Sequence, residues 1–137
     1  EALDELERIQ PEERNSSTVL WLRLEIYRTA KNWNLMEVVA RELLKRQPDD
    51  PDYWHDLAFS IRRKDSIKAA QTLLLEAFEK FPNDATTRYN LGCYACQLGD
   101  LEEAKKLVGE AIKMDSKFKL LALDDEDLVQ LWDSFKV

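Results

Sequence analysis

The chain reads as all-α, a row of helical hairpins copied one after another, and three observations predict it. Residue types recur 34 positions apart: Pro48 with Pro82, Leu57 with Leu91, Ala70 with Ala104 and Ala77 with Ala111. A period of roughly 20 to 50 residues marks supersecondary units that stack on their own copies. Side chains suited to starting a helix recur at the same spacing, in two trios half a period apart. Three glycines and four prolines in 137 residues leave few places to turn a strand.

The trios place the elements. Ser16, Asp50 and Asp84 each precede a helical stretch, and Asn32, Ser66 and Asp100 do the same half a repeat later. Each offers an oxygen to the amides of a first turn, which have no acceptor inside their own helix. Pro51 follows Asp50 and suits the first helical position, and Asp100 with Glu103 has the spacing of a capping box. The expected helices are 17–30, 33–47, 51–64, 67–81, 85–98 and 101–114. Trp54, Leu57, Ala58 and Ile61 form an apolar stripe on the third, and Leu20, Leu24 and Tyr27 one on the first. In the fifth the stripe is Leu91, Gly92 and Ala95, small enough for two helices to approach closely. Arg23 and Arg88 interrupt the pattern, their stems expected over apolar surface with the guanidinium in water.

Trp54, Leu57, Ala58, Ala70, Ala77 and Pro82 make residues 51–84 resemble the tetratricopeptide repeat. Residues 85–118 keep Leu91, Gly92, Ala104 and Ala111, with Ser116 where the closing proline would stand. In residues 17–50, Tyr27 and Pro48 remain while Met36 and Leu43 replace both alanines. The resemblance implies a right-handed α-solenoid with three units over 16–118. Ala2, Leu3, Leu6 and Ile9 give residues 1–15 the pattern of an N-terminal helix, the end of a preceding unit or a cap. Leu128, Leu131, Trp132 and Phe135 mark 119–137 as a C-terminal capping helix behind the acidic run Asp124, Asp125, Glu126 and Asp127. The ending "LALDDEDLVQLW" after "YNLGCYACQLGD" also looks like the terminal unit of tetratricopeptide arrays in many bacterial proteins.

Charge and composition narrow the function. With 27 acidic against 20 basic residues, the net charge of −7 repels a phosphate backbone, so no nucleic-acid partner is expected. No apolar run approaches the ~20 residues that span a membrane. No basic-then-apolar leader follows Glu1, which makes the cytoplasm the expected location. No nucleophile motif and no phosphate-cradling glycine loop is present, so neither an enzyme nor a cofactor is expected.

Cys93 and Cys96 lie well past the helix start at Asp84, where the dipole does little to lower a thiol pKa. With His55 they make three potential zinc ligands, one short of a structural site. They read as small semi-apolar side chains, a metal or redox thiol site being the alternative.

One repeat length back, Cys93 becomes Phe59 and Glu25, Cys96 becomes Arg62 and Arg28, and Tyr89 becomes His55 and Trp21. The resemblance implies that these positions line a concave surface where partners bind. The expected groove is therefore Trp21, Glu25, Arg28, His55, Phe59, Arg62, Tyr89, Cys93 and Cys96, with Arg63 and Gln97 beside it. Core packing of Trp21 and Phe59 is the competing reading. Aromatic and guanidinium groups are enriched in binding hot spots, and arginine grips carboxylates with two bonds. The expected function is a non-enzymatic interaction module or scaffold for a peptide or partner helix, acidic or with a free C-terminal carboxylate. Repeat ends offer a further surface for self-association. A secretion chaperone of the tetratricopeptide type is the runner-up. The co-chaperone clamp for acidic tails is not carried over, because its places hold Trp21, Glu25, Asp56, Thr86 and Asn90.

Overall fold

A computed structural model describes residue 5 and residues 16–135. The expected N-terminal helix over 1–15 lies outside the described residues except for Glu5. The elements are α1 (Ser17–Thr29), α2 (Trp33–Arg46), α3 (Pro51–Lys64), α4 (Ile67–Lys80), α5 (Ala85–Gln97), α6 (Leu101–Met114), α7 (Lys117–Asp124) and a 3-10 helix (Glu126–Phe135). Two compact units divide between Asp65 and Ser66. In the first, α2 packs on both α1 and α3; in the second, neighbours in sequence pack together from α4 to the 3-10 helix. That is the connectivity of an all-α helical repeat.

All six expected capping side chains accept an amide of the first turn. Ser16 takes Val19 N–H, Asn32 takes Leu35, Asp50 takes Asp52, Ser66 takes Ala69, Asp84 takes Thr87 and Asp100 takes Glu103, at 3.0 to 3.3 Å. The reciprocal half of the box at Asp100 is replaced: its own N–H donates to the Ala95 carbonyl, closing α5 instead. Gly99 takes the left-handed conformation there, φ 90°, and Lys31 does so at the same place in the first repeat, φ 57°. Both turns carry the paired amide bonds of a Schellman motif, Lys31 to Arg28 and Asn32 to Tyr27, Gly99 to Cys96 and Asp100 to Ala95.

The repeated small residues are the core. Ala70, Ala77, Ala104 and Ala111 are fully buried, as are Met36 and Leu43 in the divergent repeat. Arg88 departs from expectation. Its guanidinium does not sit in water but lies 4.7 Å over the Phe78 ring, pairs with Glu110 at 3.0 Å and donates to the Pro82 carbonyl at 2.8 Å. Trp54, one repeat earlier, makes the matching bond from its indole to the Pro48 carbonyl at 3.2 Å. Arginine here serves as the same donor in a more polar setting.

Where one capping helix was expected over 119–137, the described residues form two elements. Asp125, in extended backbone, separates α7 from the 3-10 helix. Three residues per turn align Leu128 and Leu131, and both are buried.

A Cβ at Gly92 would stand 2.5 Å from Val108 Cγ2 and 3.2 Å from its backbone nitrogen. Gly92→Ala gains ~1 kcal/mol of helix propensity but overpacks a contact for about 1–3 kcal/mol. Net destabilisation is expected in urea unfolding of the variant against the wild type.

Candidate functional site

In the first unit two of the predicted residues, Arg28 of α1 and Arg63 of α3, meet at a third, Phe59. The Arg28 and Arg63 guanidinium carbons each lie 5.0 Å from its ring centroid, and Trp33 meets it edge-on at 5.6 Å and 65°. Such cation–ring contacts contribute ~0.5–1 kcal/mol each when exposed. Arg28 is also bound to its own chain: Nη2 reaches Asp56 Oδ1 at 2.5 Å and Nε lies 3.4 Å from Glu25. Burial pushes the Asp56 carboxyl up despite the arginine beside it, so desolvation outweighs the ion pair. Arg28 is thus a structural partner for Asp56, whereas Arg63 is exposed. Arg28, Lys31, Trp33, Phe59 and Arg63 enclose a recess of 440 Å³.

Trp21 is 46% exposed and borders a second recess with Ser17, Thr18, Gln47 and Tyr53. His55 Nδ1 lies 3.9 Å from Asp52, and Arg62 is half-buried. Asp56, Trp33 and Lys31 were not among the expected lining. Lys31 fell in the turn before the cap Asn32 and Trp33 opened the helix after it, and Asp56 was weighed only as a departure from the co-chaperone clamp.

In the second unit the predicted lining is covered by the chain itself. Tyr89, Cys93 and Cys96 are buried, and the segment after α7 lies on them. Asp125 is the hub: its carboxylate accepts from Tyr89 Oη at 2.8 Å, Cys93 Sγ at 3.6 Å and Asp127 N–H at 3.0 Å. Its carbonyl accepts from Leu128 N–H and the Trp132 indole. Gln97 donates to the Asp127 carbonyl at 2.9 Å, and Tyr89 stacks on Phe118 at 4.9 Å. These positions are therefore not an open surface. Asp125 stood in the sequence only as one member of an acidic run.

Cys93, Asp125 and Asp127 have ligand atoms within 4.8 Å of one another. The hydrogen bonds account for that cluster, since the thiol proton is engaged by Asp125. Burial pushes the Cys93 thiol up, with the Asp125 and Asp127 charges adding to it, and burial also raises Cys96. Both shifts oppose the thiolate that redox or metal chemistry needs. Burial likewise raises the Tyr89 phenol.

The family model of the Tetratricopeptide repeat matches residues 73–106, from α4 through α5 into α6. That match and the all-helical repeat connectivity fit a tetratricopeptide repeat protein. No curated protein matches the chain. Tetratricopeptide repeats generally mediate protein–protein interaction, and the family is typically non-enzymatic. No helix among the described residues of this repeat protein is long and apolar enough to cross a membrane.

Two outcomes follow from Asp125 and the thiol beneath it. Asp125→Ala leaves Tyr89 and Cys93 without their acceptor, and a loss of about 2 kcal/mol or more is expected in denaturant unfolding. The folded state holds the Cys93 proton at pH values where an unfolded thiol, pKa ~8.5, has lost it. The native state then binds more protons, so stability falls as pH rises above about 8.5, by at most ~1.4 kcal/mol per pH unit for this group. Unfolding curves at successive alkaline pH values should show a shallower decline in Cys93→Ala.

Proposed function

We propose that the first unit is the partner-binding part of this repeat protein, and that it takes an extended peptide carrying Asp, Glu or a free C-terminal carboxylate. The observation that carries this reading is the exposed Arg63 guanidinium poised over Phe59 at the 440 Å³ recess. A guanidinium resting on an aromatic ring loses little freedom when it binds, and its fork matches the two oxygens of a carboxylate. Trp21 supplies an exposed aromatic anchor on α1. Arg28 helps to shape the recess while remaining paired with Asp56.

The residues proposed to meet the peptide are Trp21, Phe59 and Arg63, with His55 and Arg62 on the same helix as the last two. The second unit contributes no open lining at Tyr89, Cys93 and Cys96, because its terminal segment covers them. The role is that of an interaction module or scaffold.

Fluorescence anisotropy with a labelled Asp- and Glu-rich peptide bearing a free C-terminus, and with its amidated counterpart, tests the reading. Saturable binding that weakens about tenfold, or ~1.4 kcal/mol, in Arg63→Glu is expected. Unchanged affinity in that variant rules the site out. Arg28→Glu is a poorer test because it strands Asp56, so any loss of binding would be mixed with loss of fold.

A further inference from the structure

The segment that covers Tyr89 and Cys93 is held in a conformation its own sequence does not ask for. Glu126–Phe135 is a 3-10 helix of 10 residues. Runs beyond about four residues are uncommon, because the hydrogen bonds of that helix are poorly aligned. Leu128, Leu131, Trp132 and Phe135 recur at i, i+3, i+4 and i+7, the spacing of an amphipathic α-helix. No glycine or proline stands between Lys117 and Phe135 to end α7 at Asp124. The break at Asp125 is therefore imposed by what that residue touches.

Those contacts are few and mostly polar. The Asp125 carboxylate accepts from Tyr89 Oη and Cys93 Sγ on α5, and Gln97 on the same helix donates to the Asp127 carbonyl. Within the segment, the Asp125 carbonyl takes the Trp132 indole and Leu128 N–H, where a continuous α-helix would offer it Val129 N–H. In the 3-10 helix only Leu128 and Leu131 are buried, and Val129 is 52% exposed. A segment with so little burial and an α-helical alternative belongs to the low-stability end of a fold. The same contacts form a mould of what the α5 face accepts: a carboxylate, a backbone carbonyl two residues on, and leucines three and six residues on.

We propose that Asp125–Phe135 is a displaceable strap, that it uncovers Tyr89, Cys93 and Gln97 by straightening into a helix continuous with α7, and that the uncovered face binds an acidic partner peptide carrying Asp with Leu three and six residues after it. Such a peptide takes over the hydrogen bonds of the strap, so its apparent affinity is reduced in proportion to the fraction of chains that are open. The inference stands apart from the peptide reading of the first unit, whose site includes neither α5 nor the strap.

Cys93 reports the opening. In a Cys96→Ala chain, its labelling by a thiol reagent is followed at increasing urea below the unfolding transition. Release of the strap exposes little surface, so a rate nearly independent of urea is expected there. A rate that lies on the line extrapolated from global unfolding overturns the proposal. Leu131→Ala removes packing from the strap and should speed labelling about tenfold, and an unchanged rate counts against the strap. In that variant an excess of a synthetic peptide with the sequence of residues 124–135, blocked at both ends, should slow labelling about fivefold or more, and the same peptide with Asp125→Asn should not. Equal slowing by both peptides, or by neither, refutes the binding site. Labelling without peptide should not depend on protein concentration; slowing as concentration rises assigns the face to the strap of a second copy and overturns the partner reading.

Discussion

How closely the two helices of a hairpin can approach is the constraint on which this fold depends. At the α5–α6 crossing, Gly92 yields the space that Val108 fills, leaving no room for even a methyl group. In the first hairpin the sizes are reversed: Leu24 stands where the third repeat has Gly92, Ala40 where it has Val108, and both are fully buried. Packed interiors tolerate such exchanges when total volume is kept. The caps fix the phase of each helix, so that the small side of one arrives opposite the large side of the next.

The same register explains why equivalent positions do different chemistry. Cys93 on α5 corresponds to Phe59 on α3, Gln97 to Arg63 and Tyr89 to His55. A small thiol beside a phenol leaves space for a carboxylate of the same chain, and Asp125 takes it with hydrogen bonds to both. A phenylalanine at that place leaves no polar partner for a carboxylate and instead supports guanidinium groups over its ring. One substitution pattern closes a surface from within, and the other prepares a surface for charge.

Much of the fold was legible because its signals are local and repeated. Each of the six repeat helices starts at a capping side chain, and their ends fell within one residue of expectation. The break at Asp125 was hidden because a 3-10 and an α pattern place Leu128 and Leu131 on one face alike. Arg88 was misread for lack of a tertiary partner in the sequence, although Trp54 one repeat earlier carried the hint of a donor at that place. Repeat arithmetic named Arg28, Phe59 and Arg63 together, and the two guanidinium groups do lie over that ring. Arithmetic cannot reveal that a distant terminal segment lies over Tyr89, Cys93 and Cys96, nor that Asp56 already holds Arg28.

The burial of Cys93 and Cys96 has a practical side. The chain has two cysteines, and both are sealed beneath backbone and side chains, with their thiols held in the protonated form. A third cysteine placed at an exposed position such as Leu120 would react with maleimide reagents far faster than either. A fluorophore or spin label can thus be attached at a chosen point while the native sulfur atoms stay in place.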